Sequence, residues 1–540
     1  MVFKHSFKVL YETIDKYFKE KHPSKYRSRP FLRYAIDELE RLEPDERVFI
    51  TAPTGYGKTA LSMIVSLDSL INGYKSIVSY PLKALVEDQA IKFKEFYKSL
   101  MPNLEEVVGI RMMGVRESPY LIHPVTLSTI DTLSLTAIGI SPEDISKVFE
   151  SIHDSIHKSL GHYLFSWASV WLSTIVLDEV HLLYDTSKSL SFLAAMLWIS
   201  SQVGNQLIFM SATMPNNFIQ SIKDVVEGFT PPIKVRELSM KKDDDPVFYE
   251  ERLNKRYKIN LKPLKSETKF EEVKSFLTSS SFRKALVIFN TVEDAVKFYQ
   301  LLPSTEKIII HSRLTEEDKR KRVAEVRSDE SPYKVIITTQ VVEAGLDIST
   351  DLIITEVAPP NSLVQRFGRF LRREGEKCSD YERCAYIWYE ENELDGKERY
   401  KVYDAGLVRE TVNYLSENQD LNLHIDYEDF LNSIYTEVPQ FNRALLSKIM
   451  KIWFNPSRAS ESAIKLLLDM EGSLVREGAL FTVVTEDGVE LVVDYNFLSR
   501  RCVNKEPVEC PKNVRDALIK SLKGVKFTVR GTYDKEVGLL

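Results

Sequence analysis

Short apolar runs separated by amphipathic stretches set the rhythm of roughly the first 390 residues. Residues 47–52, 75–80, 173–177 and 206–210 are apolar-rich segments of strand length. A strand that is apolar at successive positions is buried on both faces, which predicts a parallel sheet covered by helices. The same rhythm returns at 285–289, 307–310, 334–338 and 351–355. Between the two sets lies 229–246, with Pro231, Pro232 and the charged run from Lys241 to Asp245, a natural boundary between two α/β domains. After about Glu390 the pattern changes. Residues 443–453 and 462–470 carry helical periodicity, and 480–495 reads as a β-hairpin turning at Asp487-Gly488. The predicted fold class is therefore α/β: two tandem domains with parallel sheets, plus a smaller mixed C-terminal domain. The expected boundaries are 1–24 for an N-terminal helical extension, 25–235 and 236–395 for the α/β domains, and 396–540 for a C-terminal accessory domain.

Composition changes this picture little. The chain has 540 residues, 44% hydrophobic and 28% charged, as expected of a globular protein. Its net charge of −6 gives no global basic field, so any nucleic-acid track has to be local. Cys378, Cys384, Cys502 and Cys510 form no C-x-x-C pair. Their spacing suggests neither a zinc site nor a disulfide framework, and free thiols in a reducing compartment are expected. Residues 1–18 alternate charge and aromatics and do not read as a signal peptide. No uninterrupted apolar stretch of about 18 residues occurs, so no membrane span is expected and the cytoplasm is the expected location.

The chemistry begins after the first apolar run. Ala52-Pro53-Thr54-Gly55-Tyr56-Gly57-Lys58-Thr59 lies between a strand and an apolar helix, the context of a phosphate-binding loop. Gly55 and Gly57 let backbone N–H groups, with Thr54, curl around phosphate oxygens. Lys58 would reach the β- and γ-phosphates of ATP, and the Thr59 hydroxyl would hold Mg²⁺. The run at 173–177 ends in Asp178-Glu179-Val180-His181. Acids delivered at the C-terminal end of a buried strand fit the site logic of open α/β sheets. Asp178 would hold Mg²⁺ through its water shell, and Glu179 would orient the attacking water.

The second α/β domain carries Gln365-Arg366-Phe367-Gly368-Arg369-Phe370-Leu371-Arg372-Arg373. Arg369 and Arg372 are three apart and would share one face of a helix. They are read as arginine fingers that neutralise transition-state charge, with Gln365 as a γ-phosphate sensor. Upstream lies Thr338-Thr339-Gln340-Val341-Val342-Glu343-Ala344-Gly345-Leu346-Asp347. Thr339 would contact a strand phosphate, Gly345 permits a tight backbone, and Asp347 would meet the ATP ribose or an arginine finger.

The order of these motifs, with Pro81-Leu82-Lys83-Ala84-Leu85, Ser128-Thr129-Ile130-Asp131 and Ser211-Ala212-Thr213 between them, resembles the superfamily 2 helicases over roughly residues 25 to 390. That resemblance implies two RecA-like domains that trap ATP between them. It also implies that Ser211-Ala212-Thr213, coupled through His181, links hydrolysis to strand movement. Asp178-Glu179-Val180-His181, Ser211-Ala212-Thr213-Met214-Pro215, His311-Ser312-Arg313 and Gln365-Arg366-Phe367-Gly368-Arg369 look like the CRISPR-associated helicase of type I interference. The family implies 3′-to-5′ translocation on single-stranded DNA with ATP and Mg²⁺, and recruitment to a guide-RNA surveillance complex. Strand contacts would come from Lys83, Thr129, Asn290, Arg313 and Thr339, mostly to phosphate.

Two departures matter. The family often carries an HD nuclease domain ahead of the helicase, and only about 25 residues precede the helicase here. His153-Asp154, with His157 and His162 nearby, sits inside the first α/β domain without further metal ligands and reads as a polar helix face. The resemblance is therefore to the split form, with the HD nuclease as a separate subunit. Second, Arg29-Pro30-Phe31 is followed by Leu32 where superfamily 2 helicases often place an adenine-reading glutamine; Phe31 is left as a group that could stack on the base. The rival readings are another superfamily 2 DNA or RNA helicase, a non-catalytic nucleic-acid scaffold, and a fused helicase–nuclease.

Overall fold

A computed structural model describes residues 7–21, 23, 26–103, 106–141, 143, 145–153, 162–184, 186–328, 330–343, 346–437, 440–455, 459–476 and 478–539. Contacts divide the chain into two compact units. The first comprises Met1–Asp245, Val438–Thr482 and Val493–Phe527; the second comprises Pro246–Glu437, Val483–Val492 and Thr528–Leu540. Residues after 396 thus contribute to both units.

The first unit is built on an eight-stranded sheet. Its strands are β1 (Glu46–Thr51), β2 (Lys75–Tyr80), β3 (Val108–Met112), β4 (Val115–Arg116), β5 (Val125–Thr129), β6 (Ser173–Leu177), β7 (Leu207–Ser211) and β8 (Lys234–Ser239). Their order is β4-β3-β5-β2-β6-β7-β1-β8. Only the β3–β4 pair is antiparallel. Every residue of β1, β6 and β7 is buried, which explains the apolar runs at 48–50, 175–177 and 207–210 within them. Phe49 of β1 stacks on Phe209 of β7 with centroids 4.4 Å apart. Burial of each such side chain contributes about 1.5–3 kcal/mol.

The register puts the chemistry along one edge. Thr51 pairs with Ser211, and Leu177 lies beside Phe209. Ala52 N–H continues the ladder onto the Ser211 carbonyl at 3.1 Å, and Asp178 N–H onto Ser79 at 2.9 Å. The loops after β1, β6 and β7 therefore leave the sheet side by side at its C-terminal edge.

The second unit holds a six-stranded, wholly parallel sheet. Its strands are β9 (Ile259–Leu264), β10 (Ala285–Ile288), β11 (Lys307–Ile310), β12 (Val335–Thr338), β13 (Leu352–Glu356) and β14 (Ala385–Glu390), in the order β11-β12-β10-β13-β14-β9. Val287, Phe289, Phe298, Ile337, Ile354 and Trp388 form the heart of one core layer. Ile288 of β10 is level with Thr338 of β12 and Thr355 of β13, so three motif-bearing loops start together.

The predicted hairpin at Asp487-Gly488 is present: Gly488 N–H donates to Thr485 at 3.0 Å, and Thr485 N–H to Val489 at 2.9 Å. Gly488 takes φ +87°, the left-handed turn conformation that glycine adopts freely. The expected free thiols are corrected. Cys378 bonds Cys384 and Cys502 bonds Cys510, with Cα atoms 5.9 and 5.8 Å apart. Local chain reversals over six and eight residues bring each pair within disulfide reach. The cysteines therefore lend no support to a reducing compartment. Among the described residues no helix is long and apolar enough to cross a membrane.

Candidate functional site

In the first unit the loop after β1 exposes its backbone and buries its aromatic residue. Gly55 and Gly57 are exposed at φ +78° and +107°, and Tyr56 between them is fully buried. The Tyr56 hydroxyl accepts from Phe31 N–H at 3.1 Å and donates to Asp245 Oδ2 at 3.0 Å. A Cβ at Gly57 would lie 3.1 Å from Leu32 Cδ1, so Leu32 packs beneath the loop. Phe31 is also buried, its ring 6.1 Å from Tyr56, and presents no face to a base; the idea that it stacks on adenine is corrected.

Gly57 caps the helix Lys58–Ile71. At that helix start Lys58 Nζ donates to the Ala52 carbonyl at 3.0 Å. The Thr59 hydroxyl donates to Gln89 Oε1 at 3.1 Å. Gln89, on helix Lys83–Leu100, is a site residue that the motif strings did not mark. Thr54 is half-buried in the same loop.

Asp178 and Glu179 lie across β7 from this loop. Asp178 is 4% exposed, and its Oδ1 accepts from Glu179 N–H at 2.9 Å. Burial, then the Glu179 carboxylate, push the Asp178 pKa up to about 7 against the pull of Lys58. A hydroxyl and a buried carboxylate suit a hard divalent cation such as Mg²⁺, which Thr59 and Asp178 would hold. Glu179 adopts φ +57°, strained for a residue with a side chain and often a mark of a working site.

His181 is buried, and burial lowers its pKa to about 4, so the ring is neutral. Its Nδ1 lies 3.0 Å from Ser211 Oγ and 3.4 Å from Glu179 Oε2. Ser211 Oγ donates onward to the Thr213 carbonyl at 2.5 Å. Nδ1 therefore carries the proton and bridges the loops after β6 and β7. Lys83 is half-buried at its helix start. Thr129 is buried, and its hydroxyl caps helix Ile130–Ala137 by accepting from Thr132 N–H at 3.3 Å. That hydroxyl helps to hold the helix start.

The second unit centres on Arg366, which is fully buried. Its Nε and Nη2 reach Glu343 Oε1 at 2.9 and 2.8 Å. Nη1 donates to Thr355 Oγ1 at 2.9 Å and to the Glu356 carbonyl at 2.8 Å. Nη2 also reaches Asn290 Oδ1 and Tyr403 Oη, each at 3.0 Å. One planar fork thus ties together the loops after β10 and β12 and the end of β13. Asn290 is 1% exposed, donates to the Val357 carbonyl at 2.7 Å, and is consumed by this network. Both ends of its amide are bonded inside this network.

The shared helix face of Arg369 and Arg372 is also corrected. The helix Pro360–Phe367 ends before them at Gly368, Phe370 bridges Thr350, and Leu371 turns at φ +48°. Both arginines nevertheless converge on the loop after β12. Arg369 donates to the Val342 and Glu343 carbonyls at 3.2 and 3.3 Å, and Arg372 pairs with Asp347 at 3.5 Å. Gln365 is buried with its amide nitrogen unpartnered. Thr339 is 2% exposed. Arg313 donates to Glu293 at 2.5 Å. Gly345, Asp154 and His157 lie outside the described residues, as do the side chains of His153 and His162.

Residues 30–222 match the DEAD/DEAH box helicase family, and residues 281–375 match the C-terminal part of the CRISPR-associated nuclease/helicase Cas3. The chain is 25% identical over 366 residues to the CRISPR-associated helicase Cas3 of Thermoproteus tenax, covering 64% of this chain and 57% of that protein. It is 22% identical over 480 residues to the CRISPR-associated nuclease/helicase Cas3 of Methanothermobacter thermautotrophicus, covering 81% of this chain and 53% of that one. The chain thus spans little more than half the length of these relatives. The crystal structure of T. fusca Cas3 superimposes with a TM-score of 0.64 at 16% identity, covering 97% of this chain and 69% of that chain. Fold and these likenesses make the chain similar to the DEAD/DEAH box helicases over residues 30–222. Within that class its likeness is to the CRISPR-associated Cas3 helicases.

Proposed function

We propose that this protein is an ATP-driven translocase that moves 3′ to 5′ on single-stranded DNA in type I CRISPR interference. The ATP-driven part of this reading is carried by the meeting of Lys58, Thr59, Asp178 and Glu179 at one sheet edge, with His181 joining them to Ser211; the DNA substrate and polarity rest on the likeness to the Cas3 helicases. Lys58 binds the triphosphate by exchanging its bond to Ala52 for phosphate oxygens. Thr59 and Asp178 would hold Mg²⁺, which when bound would neutralise charge at the phosphates. Glu179 orients the attacking water, and His181 passes a change in the carboxylate to the loop after β7. Arg369 and Arg372 supply positive charge to the γ-phosphoryl group as it transfers, and Asp347 holds Arg372.

Strand phosphates are met by Lys83, Arg313 and Thr339. The resemblance to the CRISPR-associated helicases further implies work in the cytoplasm with a guide-RNA surveillance complex. The test is displacement of a labelled strand from duplexes with a single-stranded 3′ or 5′ tail, in DNA and in RNA. Unwinding restricted to the 3′-tailed DNA supports the reading; equal unwinding of both polarities, or of RNA alone, overturns it.

A further inference from the structure

Strands Tyr533–Asp534 and Gly538–Leu539 pair antiparallel, and within the second unit this hairpin grips the loop that follows β11. His311, at the start of that loop, is fully buried. Its Nδ1 accepts from Arg313 N–H at 3.2 Å, and its Nε2 lies 3.1 Å from the Val537 carbonyl. Those bonds leave the proton on Nε2. Burial holds the ring's pKa down to about 3, so it stays neutral and the tautomer does not change near pH 7. From the other side, Leu539 N–H donates to the Arg313 carbonyl at 3.1 Å. The backbone of Arg313 is thus bonded at both its N–H and its C=O.

The approach demands glycine. Gly538 has φ +77°, and a Cβ there would lie 2.6 Å from the Arg313 carbonyl oxygen and 3.0 Å from His311 Cε1. Neighbouring residues anchor the hairpin. The Tyr533 hydroxyl accepts from Thr315 N–H at 3.0 Å and donates to Asp318 at 2.5 Å. Tyr299 donates to Glu536 at 2.7 Å, and Arg322 to the Lys535 carbonyl at 2.5 Å.

We infer that this C-terminal hairpin is a positioning element for strand binding: it fixes the Arg313 backbone so that the guanidinium can exchange Glu293 for a strand phosphate. The inference rests on the reading of Arg313 as a strand contact. Tethering the backbone at two points leaves fewer conformations to lose when the side chain engages, which raises affinity without a new contact.

The test is anisotropy of a labelled oligothymidylate bound to the full chain at several salt concentrations. Wild type is compared with Arg313→Ala, Gly538→Ala, Tyr533→Phe and the Arg313→Ala/Gly538→Ala double variant. Arg313→Ala and Gly538→Ala should each raise Kd roughly five- to tenfold. Each should also flatten the slope of log K against log salt by about 0.7, the signature of one lost single-strand phosphate contact. A loss of folded protein would lower the binding amplitude and leave that slope unchanged. The double variant should bind no more weakly than either single one. Tyr533→Phe, which keeps the ring and loses only its hydroxyl, should shift Kd in the same direction even if Gly538→Ala fails to fold. Normal binding by Gly538→Ala and Tyr533→Phe beside a weakened Arg313→Ala would overturn the inference alone. An unchanged Arg313→Ala would overturn both it and the strand-contact reading. Additive losses in the double variant would show that the hairpin acts through a different contact.

Discussion

Arg366→Gln should loosen the second unit around the loops that Arg366 joins. The guanidinium spends two bonds on Glu343, at 2.9 and 2.8 Å, in a pocket where Arg366 is wholly buried and Glu343 nearly so. Removing one partner of such a pair leaves an uncompensated buried charge, at a cost of about 3–5 kcal/mol. The Glu356 carbonyl and Asn290 Oδ1 also lose a donor, and each costs about 1 kcal/mol or more. Glu343 keeps bonds from Ser362 at 3.0 Å and Tyr403 at 3.2 Å, which offset part of the loss. Set against a typical domain stability of about 5–15 kcal/mol, the charge term dominates. Hydrogen exchange measured over residues 285–291 and 352–367 reads the local opening free energy directly. It should fall by roughly 3 kcal/mol or more in Arg366→Gln. Adding Glu343→Gln removes the stranded charge and should restore about half of the loss. Unchanged protection in Arg366→Gln, or a double variant no better than the single one, would refute the argument from buried charge.

Other outcomes follow from the same geometry. Arg369→Ala should lower ATP turnover by roughly 10³ while leaving oligonucleotide affinity intact, as read by steady-state kinetics and anisotropy. Asp178 gives a pH signature in the nucleotide-free protein. Because burial and Glu179 raise its pKa to about 7, the native state keeps this proton after the unfolded chain, with its ordinary carboxyl, has released it. The group therefore erodes stability as pH climbs from about 4 to 7, and its cost is fully present above that. Asp178→Asn should match wild type in denaturant titrations near pH 4 and exceed it at pH 8; a variant weaker than wild type at pH 8 would contradict this.

The phosphate loop and the carboxylates were legible because each follows a strand whose unbroken apolar run announces burial on both faces, and register then carries them to one edge. Leu32 beneath Gly57 and Gln89 against Thr59 were not, since each reaches the loop from a different helix. The Arg369–Arg372 spacing misled because helical periodicity says nothing about where a helix stops; Gly368 and the bridge to Thr350 end it first. The bond from Arg366 to Asn290, 76 residues away in sequence, had no sequence mark either. The disulfides and the hairpin clamp on Arg313 are likewise tertiary facts. A cysteine pair six or eight residues apart closes only if the chain turns back between them, and Gly538 carries no sequence mark of its partner 225 residues earlier.

Hydrolysis of ATP by the purified chain with Mg²⁺, in the presence and absence of single-stranded DNA, tests the central claim most directly when wild type and Glu179→Gln are run side by side. Turnover should rise on adding DNA to the wild type. Glu179→Gln should still bind ATP and fail to hydrolyse it. A wild-type protein that leaves ATP intact under these conditions, or a Glu179→Gln variant that turns it over at the wild-type rate, would contradict the account of a motor driven from the loops after β1 and β6.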